Sequence, residues 1–176
     1  MLQNPLSGER IVIRIGASET NGELLAFDLF LPPGGHVPAG HSHPIQEERF
    51  AILDGALRFR LGRRTILADA GQTVRIAPGT AHWFETAGPH AAHARVEVRP
   101  ALRMQELLER SMGLDQVRLL GRPVPRLSGL ALLLLEFERE LAVPIVPRAV
   151  VRMLLTPLVW LGRRRAFGSA HPTLEP

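Results

Sequence analysis

The sequence predicts a mainly β fold followed by helices, and three observations carry that expectation. Over the first hundred residues, turn signals built on Gly and Pro recur about every eight to twelve residues, the spacing of an all-β sandwich or barrel. The runs between them alternate: in "ALRFRLG", Leu57, Phe59 and Leu61 share one face, and Arg58 and Arg60 the other. Beyond Pro100 the apolar spacing changes to three and four, which is helical.

The strands expected in order are "RIVIRIG", "ELLAFDLFLPPGG", "ERFAILDG", "ALRFRLG", "RTILADAG", "QTVRIAPG", "AHWFETAG" and "ARVEVRP". Met104, Leu107, Leu108 and Met112 then form one helical stripe that Gly113 stops. After the connector "GRPVPRLSG", Ser128 is the expected N-cap of a helix over "GLALLLLEFEREL", apolar nearly all round in its first turns and so buried by more than one neighbour. Pro147 is placed to open a last helix, "RAVVRMLLTPLVWLG", with a kink at Pro157. The expected organisation is a barrel over 1–100, a helical extension over 101–166 packed on the barrel or on a dimer partner, and a loose tail over 167–176.

Composition narrows the function. The chain of 176 residues has room for one core. It has no cysteine, which leaves His, Asp and Glu as metal ligands and removes thiol chemistry. All 21 basic residues are arginine, yet the net charge is only +4. With 5% aromatic residues and no tyrosine, nothing provides the basic stripe with stacking rings that nucleic-acid binding asks for. The opening lacks the basic and apolar regions of an export signal, so a cytoplasmic location is expected, and the longest uncharged stretch near the end, 153–161, is too short to cross a bilayer and contains a proline.

The densest chemistry lies in "GHSHPIQEERFAILDG", residues 40–55. Side chains two apart on a strand point the same way, so His41 and His43 would share an ion, and "PIQE" can turn the chain so that Glu48 reaches the same point. Two imidazoles and a carboxylate form a facial set that leaves open positions on a divalent ion such as iron. The segment resembles the first motif of the cupin superfamily: Gly, five residues, His-x-His, three or four residues, Glu, six residues, Gly. Gly35, His41, His43, Glu48 and Gly55 fill it in register. The superfamily's second motif is matched by "GQTVRIAPGTAHWFET", through Gly71, Gly79 and His82. Ala77 stands in place of that motif's first proline, and Thr86 in place of its terminal asparagine; neither position is a ligand in the pattern. The resemblance spans roughly residues 10–99, and the whole chain also looks like small single-domain bacterial cupins with a C-terminal helical extension.

The resemblance implies an antiparallel double-sheet jelly-roll barrel and a four-ligand metal site of His41, His43, Glu48 and His82. The cofactor would be one divalent transition metal ion, with Fe, Mn, Ni, Cu, Co and Zn all compatible with three imidazoles and a carboxylate. If Glu48 faces inward, alternation brings Phe50 and Ile52 inward with it and turns Glu47 and Arg49 away, while Phe84 shares a face with His82. Phe50, Ile52 and Phe84 are therefore the candidate wall of a pocket for a small, partly apolar molecule. His36, His90, His93 and His171 lie off the motifs, in expected loops or the tail. The resemblance implies a mononuclear metal-dependent enzyme, dioxygenase-like or isomerase-like; the alternative is a binding or sensing module that uses the same site without turnover. A small-molecule ligand and a homodimer are the expected partners, with no nucleic acid and no integral membrane association.

Overall fold

The computed structural model describes residues 1–4, 8–37, 40–114, 116–119, 122–144, 146–147 and 149–157. The alternating runs become strands: β1 (Leu2–Gln3), β2 (Arg10–Ile15), β3 (Leu25–Leu31), β4 (Glu47–Asp54), β5 (Ala56–Leu61), β6 (Arg64–Asp69), β7 (Thr73–Ile76), β8 (His82–Thr86) and β9 (Ala92–Arg99). They pair antiparallel in two sheets, one ordered β1-β2-β3-β9-β4-β7 and the other β6-β5-β8. This is the jelly-roll architecture the sequence predicts.

Period-two burial shows which faces meet. In β9, Ala92, Ala94, Val96 and Val98 are buried and the residues between them are not. In β4 the buried positions are Glu48, Phe50 and Ile52, and in β8 they are His82, Phe84 and Thr86. The same inward rows therefore carry both core side chains and candidate ligands. Asp28 is a second buried acid, with another role: Arg14 of β2 and Arg95 of β9 both bind it across the strands. Burial raises its carboxyl, but the two guanidiniums outweigh that and leave it below the ordinary range.

Past the barrel, α1 (Met104–Met112) forms as expected and ends at Gly113, and Met104 and Leu107 join the main core. A hairpin of β10 (Gln116–Leu119) and β11 (Arg122–Pro125) occupies the region read as a connector. Its strands are four residues each, too short for a convincing period. The next helix, α2, runs Leu127–Glu136, and its cap is Arg126, with no side-chain cap bond; Ser128 is not the N-cap but lies inside the first turn. The chain leaves β11 extended through Arg126 (φ −62°, ψ 129°), so the hairpin and not the serine sets the start. The helix also stops five residues before Leu141, because Phe137 turns fully into the core and residues 137–140 continue as turns. Residues 149–157 are helical, with the Pro147 carbonyl accepting from the Val150 and Val151 amides at their start. The expected course beyond Pro157, the tail and His171 lie outside the described residues. Among the described residues, no helix is long and apolar enough to cross a membrane.

Gly55 links β4 to β5 with φ +70°, and a Cβ there would lie 2.3 Å from the Ala91 carbonyl oxygen. Gly62 has φ +57° and open space around it. Gly62→Ala is therefore expected to cost about 1 to 2 kcal/mol of unfolding free energy, from left-handed strain alone. Gly55→Ala adds a backbone clash and is expected to cost at least about 3 kcal/mol. Urea unfolding of the two variants checks this; equal costs would contradict the close approach.

Candidate metal centre

The site begins with a backbone pairing. His41 and His82 face each other as an isolated antiparallel bridge, with the His41 amide donating to the His82 carbonyl at 3.0 Å and the His82 amide to the His41 carbonyl at 2.8 Å. Residues directly opposite in such a pair project to the same side, so the two rings meet with centroids 4.4 Å apart. His43, two residues on, adds its ring at 4.9 Å from His41 and 5.2 Å from His82. His41 and Ser42 form isolated bridges and residues 41–43 are not a regular strand, but the parity expected of a strand survives. The three imidazoles form a group whose ligand atoms lie within 4.8 Å of one another, able to hold a metal ion.

Glu48 comes from the first turn of inward alternation in β4, between Val98 of β9 and Ile76 of β7. Its Oε2 lies 3.0 Å from His82 Nε2 and 3.4 Å from His43 Nε2. These contacts are close enough for attraction but not aligned as hydrogen bonds, so Glu48 Oε2, His43 Nε2 and His82 Nε2 are all buried without a hydrogen-bond partner. Three orphaned polar atoms converging in a buried place is a costly arrangement for a bare protein, and it suits a cation. The donor set of nitrogen and oxygen fits a borderline divalent ion.

The far ring nitrogens explain why the near ones are bare. His82 Nδ1 is 3.0 Å from the Thr80 carbonyl, and His43 Nδ1 is bonded to the Glu140 carbonyl. A carbonyl only accepts, so each Nδ1 carries the proton and each Nε2 presents its lone pair to the centre. Of the four residues, His43, Glu48 and His82 are buried and His41 is partly exposed, so the centre is reached from the His41 side.

Phe50, Ile52 and Phe84 continue the same inward rows and are buried. Phe50 stacks edge-on against Phe59 and Phe84, each at 5.1 Å, forming an aromatic packing layer in the barrel interior. Thr86, in the place of the motif's asparagine, is buried and ties the two motifs together: its amide donates to the Gly35 carbonyl at 2.9 Å and its hydroxyl lies 3.3 Å from the Pro32 carbonyl. Gly35 is required there, because a Cβ would lie 2.8 Å from the Pro32 oxygen. His93 lies on β9, not in a loop; its ring stacks on Phe30. His36 and His90 are exposed. The Thr80, Glu140 and Ala142 backbone contacts to the site were not legible in the sequence, since a main-chain carbonyl or amide has no residue signature.

The electrostatics are those of a carboxylate enclosed by imidazoles. Burial raises the Glu48 carboxyl, and the imidazoles of His43, His82 and His41 outweigh it and hold the group down to about 2, from an ordinary 4.5. For His82, burial opposes the charged form, but Glu48 more than compensates and raises its value above 6.5. The Glu48 contribution to folding is thus full above 4.5 and lost as pH falls toward 2; the His82 contribution is full below 6.5 and lost as pH rises beyond it. With chelator present, the thermal midpoint is expected to fall on both sides of that window. Glu48→Gln should reduce the alkaline limb, to which Glu9, pushed up to about 7 by burial, also contributes, and reduce the acid one, where Asp28 also titrates; an unchanged profile would contradict the pairing.

Comparison with known proteins agrees with this architecture. Residues 28–98 match the family model of the cupin domain. A predicted oxalate decarboxylase from Thermotoga maritima superposes with a TM-score of 0.51 at 19% identity, over 57% of this chain and 90% of that one. The cupin domain of Schizosaccharomyces pombe Cnp3 gives 0.50 at 13% identity, over 60% of this chain and 72% of that one. At such identities the likeness concerns the fold alone. A search of curated proteins finds no match. The two motifs, the paired sheets and the family match together make the segment 28–98 of this chain a cupin domain.

Proposed function

We propose that the chain is a mononuclear metal-dependent enzyme, in which His41, His43, His82 and Glu48 hold one divalent transition metal ion and a small, partly apolar organic molecule is transformed beside it. The observation that carries this is the convergence of the bare, buried Nε2 atoms of His43 and His82 on Glu48 Oε2. Such an ion, when bound, would supply Lewis acidity and open coordination positions. The protein's own contribution is positioning. Thr80 and Glu140 set the ring tautomers, Glu48 places negative charge at the centre, and His41 borders the way in.

Phe50, Ile52 and Phe84 give the centre an apolar interior side, which supports a substrate with an apolar part. Near the centre, the described acids and bases are the buried candidate ligands His43, Glu48 and His82, the partly exposed His41, and the buried Glu140, whose carboxylate Oε1 accepts the Arg103 amide at 3.2 Å. A reaction that leans on the ion more than on a separate acid–base pair fits this inventory best. Exposed Leu127, Leu130, Val150, Met153 and Leu154 on the extension support a homodimer.

Elemental analysis of untagged protein tests the site, with near one ion per chain expected in the wild type and loss of that ion in folded His41→Ala/His82→Ala. Oxygen-dependent or isomerising consumption of a small substrate should vanish in the same variant. Wild type that neither carries nor takes up any divalent ion would overturn the proposal. Ligand-dependent stabilisation without product would replace the enzyme by a binding module.

A further inference from the structure

The ligand His43 is held by a part of the chain outside the matched domain. Residues 41–43 have one edge on β8 and the turn before it, through the two His41–His82 bonds and the Gly79 amide on the His43 carbonyl at 2.8 Å. Successive residues of an extended chain turn their backbone groups to opposite sides. The groups of Ser42 therefore face the other way, where Ala142 takes them: the Ser42 amide donates to the Ala142 carbonyl at 3.1 Å, and the Ala142 amide to the Ser42 carbonyl at 2.9 Å. Two residues earlier, the Glu140 carbonyl receives His43 Nδ1. One short piece of the extension thus grips both the backbone and a ring of the metal-ligating segment.

That piece is itself firmly seated. Phe137 is fully buried in the main core, with the Arg103 and Arg110 guanidiniums 4.6 and 5.5 Å from its ring centre. Glu136 receives hydrogen bonds from Arg103 and Arg110 at 2.9 and 2.7 Å. The Glu140 carboxylate, 4% exposed, accepts the backbone amide at the N-cap of α1, and the Leu141 amide closes on the Phe137 carbonyl at 2.7 Å. Gln46, just before β4, donates to the Pro100 and Ala101 carbonyls at 2.9 and 3.0 Å, which fixes the entry to α1 relative to Glu48.

We propose that residues 137–142 are a clamp on the metal centre: they position His43, select the tautomer that frees its Nε2, and so set the affinity for the ion. This rests on the metal site proposed above. Outer hydrogen bonds of this kind are typically worth 10- to 100-fold in metal affinity. Coupling between two binding events is reciprocal, so the ion must tighten the docking of the clamp as much as the clamp tightens the ion.

The first measurement needs no metal. In chelated wild type with 15N-labelled histidine, NMR should find neutral His43 in the Nδ1–H form. A His43 in the Nε2–H form overturns the clamp. Ala142→Pro deletes the amide that bonds Ser42; His43 is expected to leave the pure Nδ1–H form while His82, held by Thr80, keeps its own. A general loss of structure would move both rings. By titration calorimetry, the zinc dissociation constant should rise about 10- to 100-fold in Ala142→Pro. Equal affinity in the two proteins, with wild type binding zinc, overturns the clamp alone; a wild type that binds no zinc removes the metal site itself. Should Ala142→Pro fail to fold, amide exchange in wild type decides: zinc should slow exchange at Ser42 and Ala142 at least tenfold more than at Leu130 in the first turn of α2. The same slowing at all three overturns the proposal.

Discussion

The centre depends on a buried carboxylate, Glu48, enclosed by the imidazoles of His41, His43 and His82. Taking Glu48 out of water costs several kcal/mol unless positive charge compensates it nearby. In this chain three imidazoles surround it, delivered by two separate stretches and joined by the paired backbone bonds of His41 and His82, and a proton on one of them or a shared cation would supply that charge. The sheet pairing that closes the barrel therefore also assembles the charge balance. Glycines at the corners serve the same end: Gly35 and Gly55 allow backbone approaches that a Cβ would prevent, and they bracket the ligand-bearing stretch in the sequence.

Much of this was legible in the residues. The alternation in "ERFAILDG" and "AHWFETAG" identified which side chains of β4 and β8 face inward, because a buried face imposes a period of two whatever the fold. The spacing of His41, His43 and Glu48, with His82 added by the motif resemblance, pointed to residues that the structure brings together. What was not legible has a common physical origin. Ser128 has the chemistry of a cap, yet the preceding hairpin decided where α2 begins, since tertiary context overrides local preference. The Thr80 and Glu140 carbonyls orient two rings, and any residue could supply a carbonyl. His93 sits in a strand because its neighbours alternate, although its own type favours no element.

The extension is more than an addition to a finished barrel. Its buried side chains, Leu133 and Phe137 among them, belong to the same apolar cluster as the strand interiors. Its Ala142 pairs in an isolated bridge with Ser42, on the edge of residues 41–43 that faces away from β8. A domain match restricted to 28–98 contains every candidate ligand but not the segment that orients His43, so sequence likeness over the barrel and completeness of the centre are different things.

The central claim is that three histidines and one glutamate bind a single ion, and the most direct measurement is anomalous diffraction from crystals of the full chain loaded with cobalt(II). One cobalt peak bonded to Nε2 of His43, Nε2 of His82, a nitrogen of His41 and an oxygen of Glu48 is the predicted result. Cobalt bound elsewhere, or bound in the barrel with Glu48 turned away from it, would contradict the account.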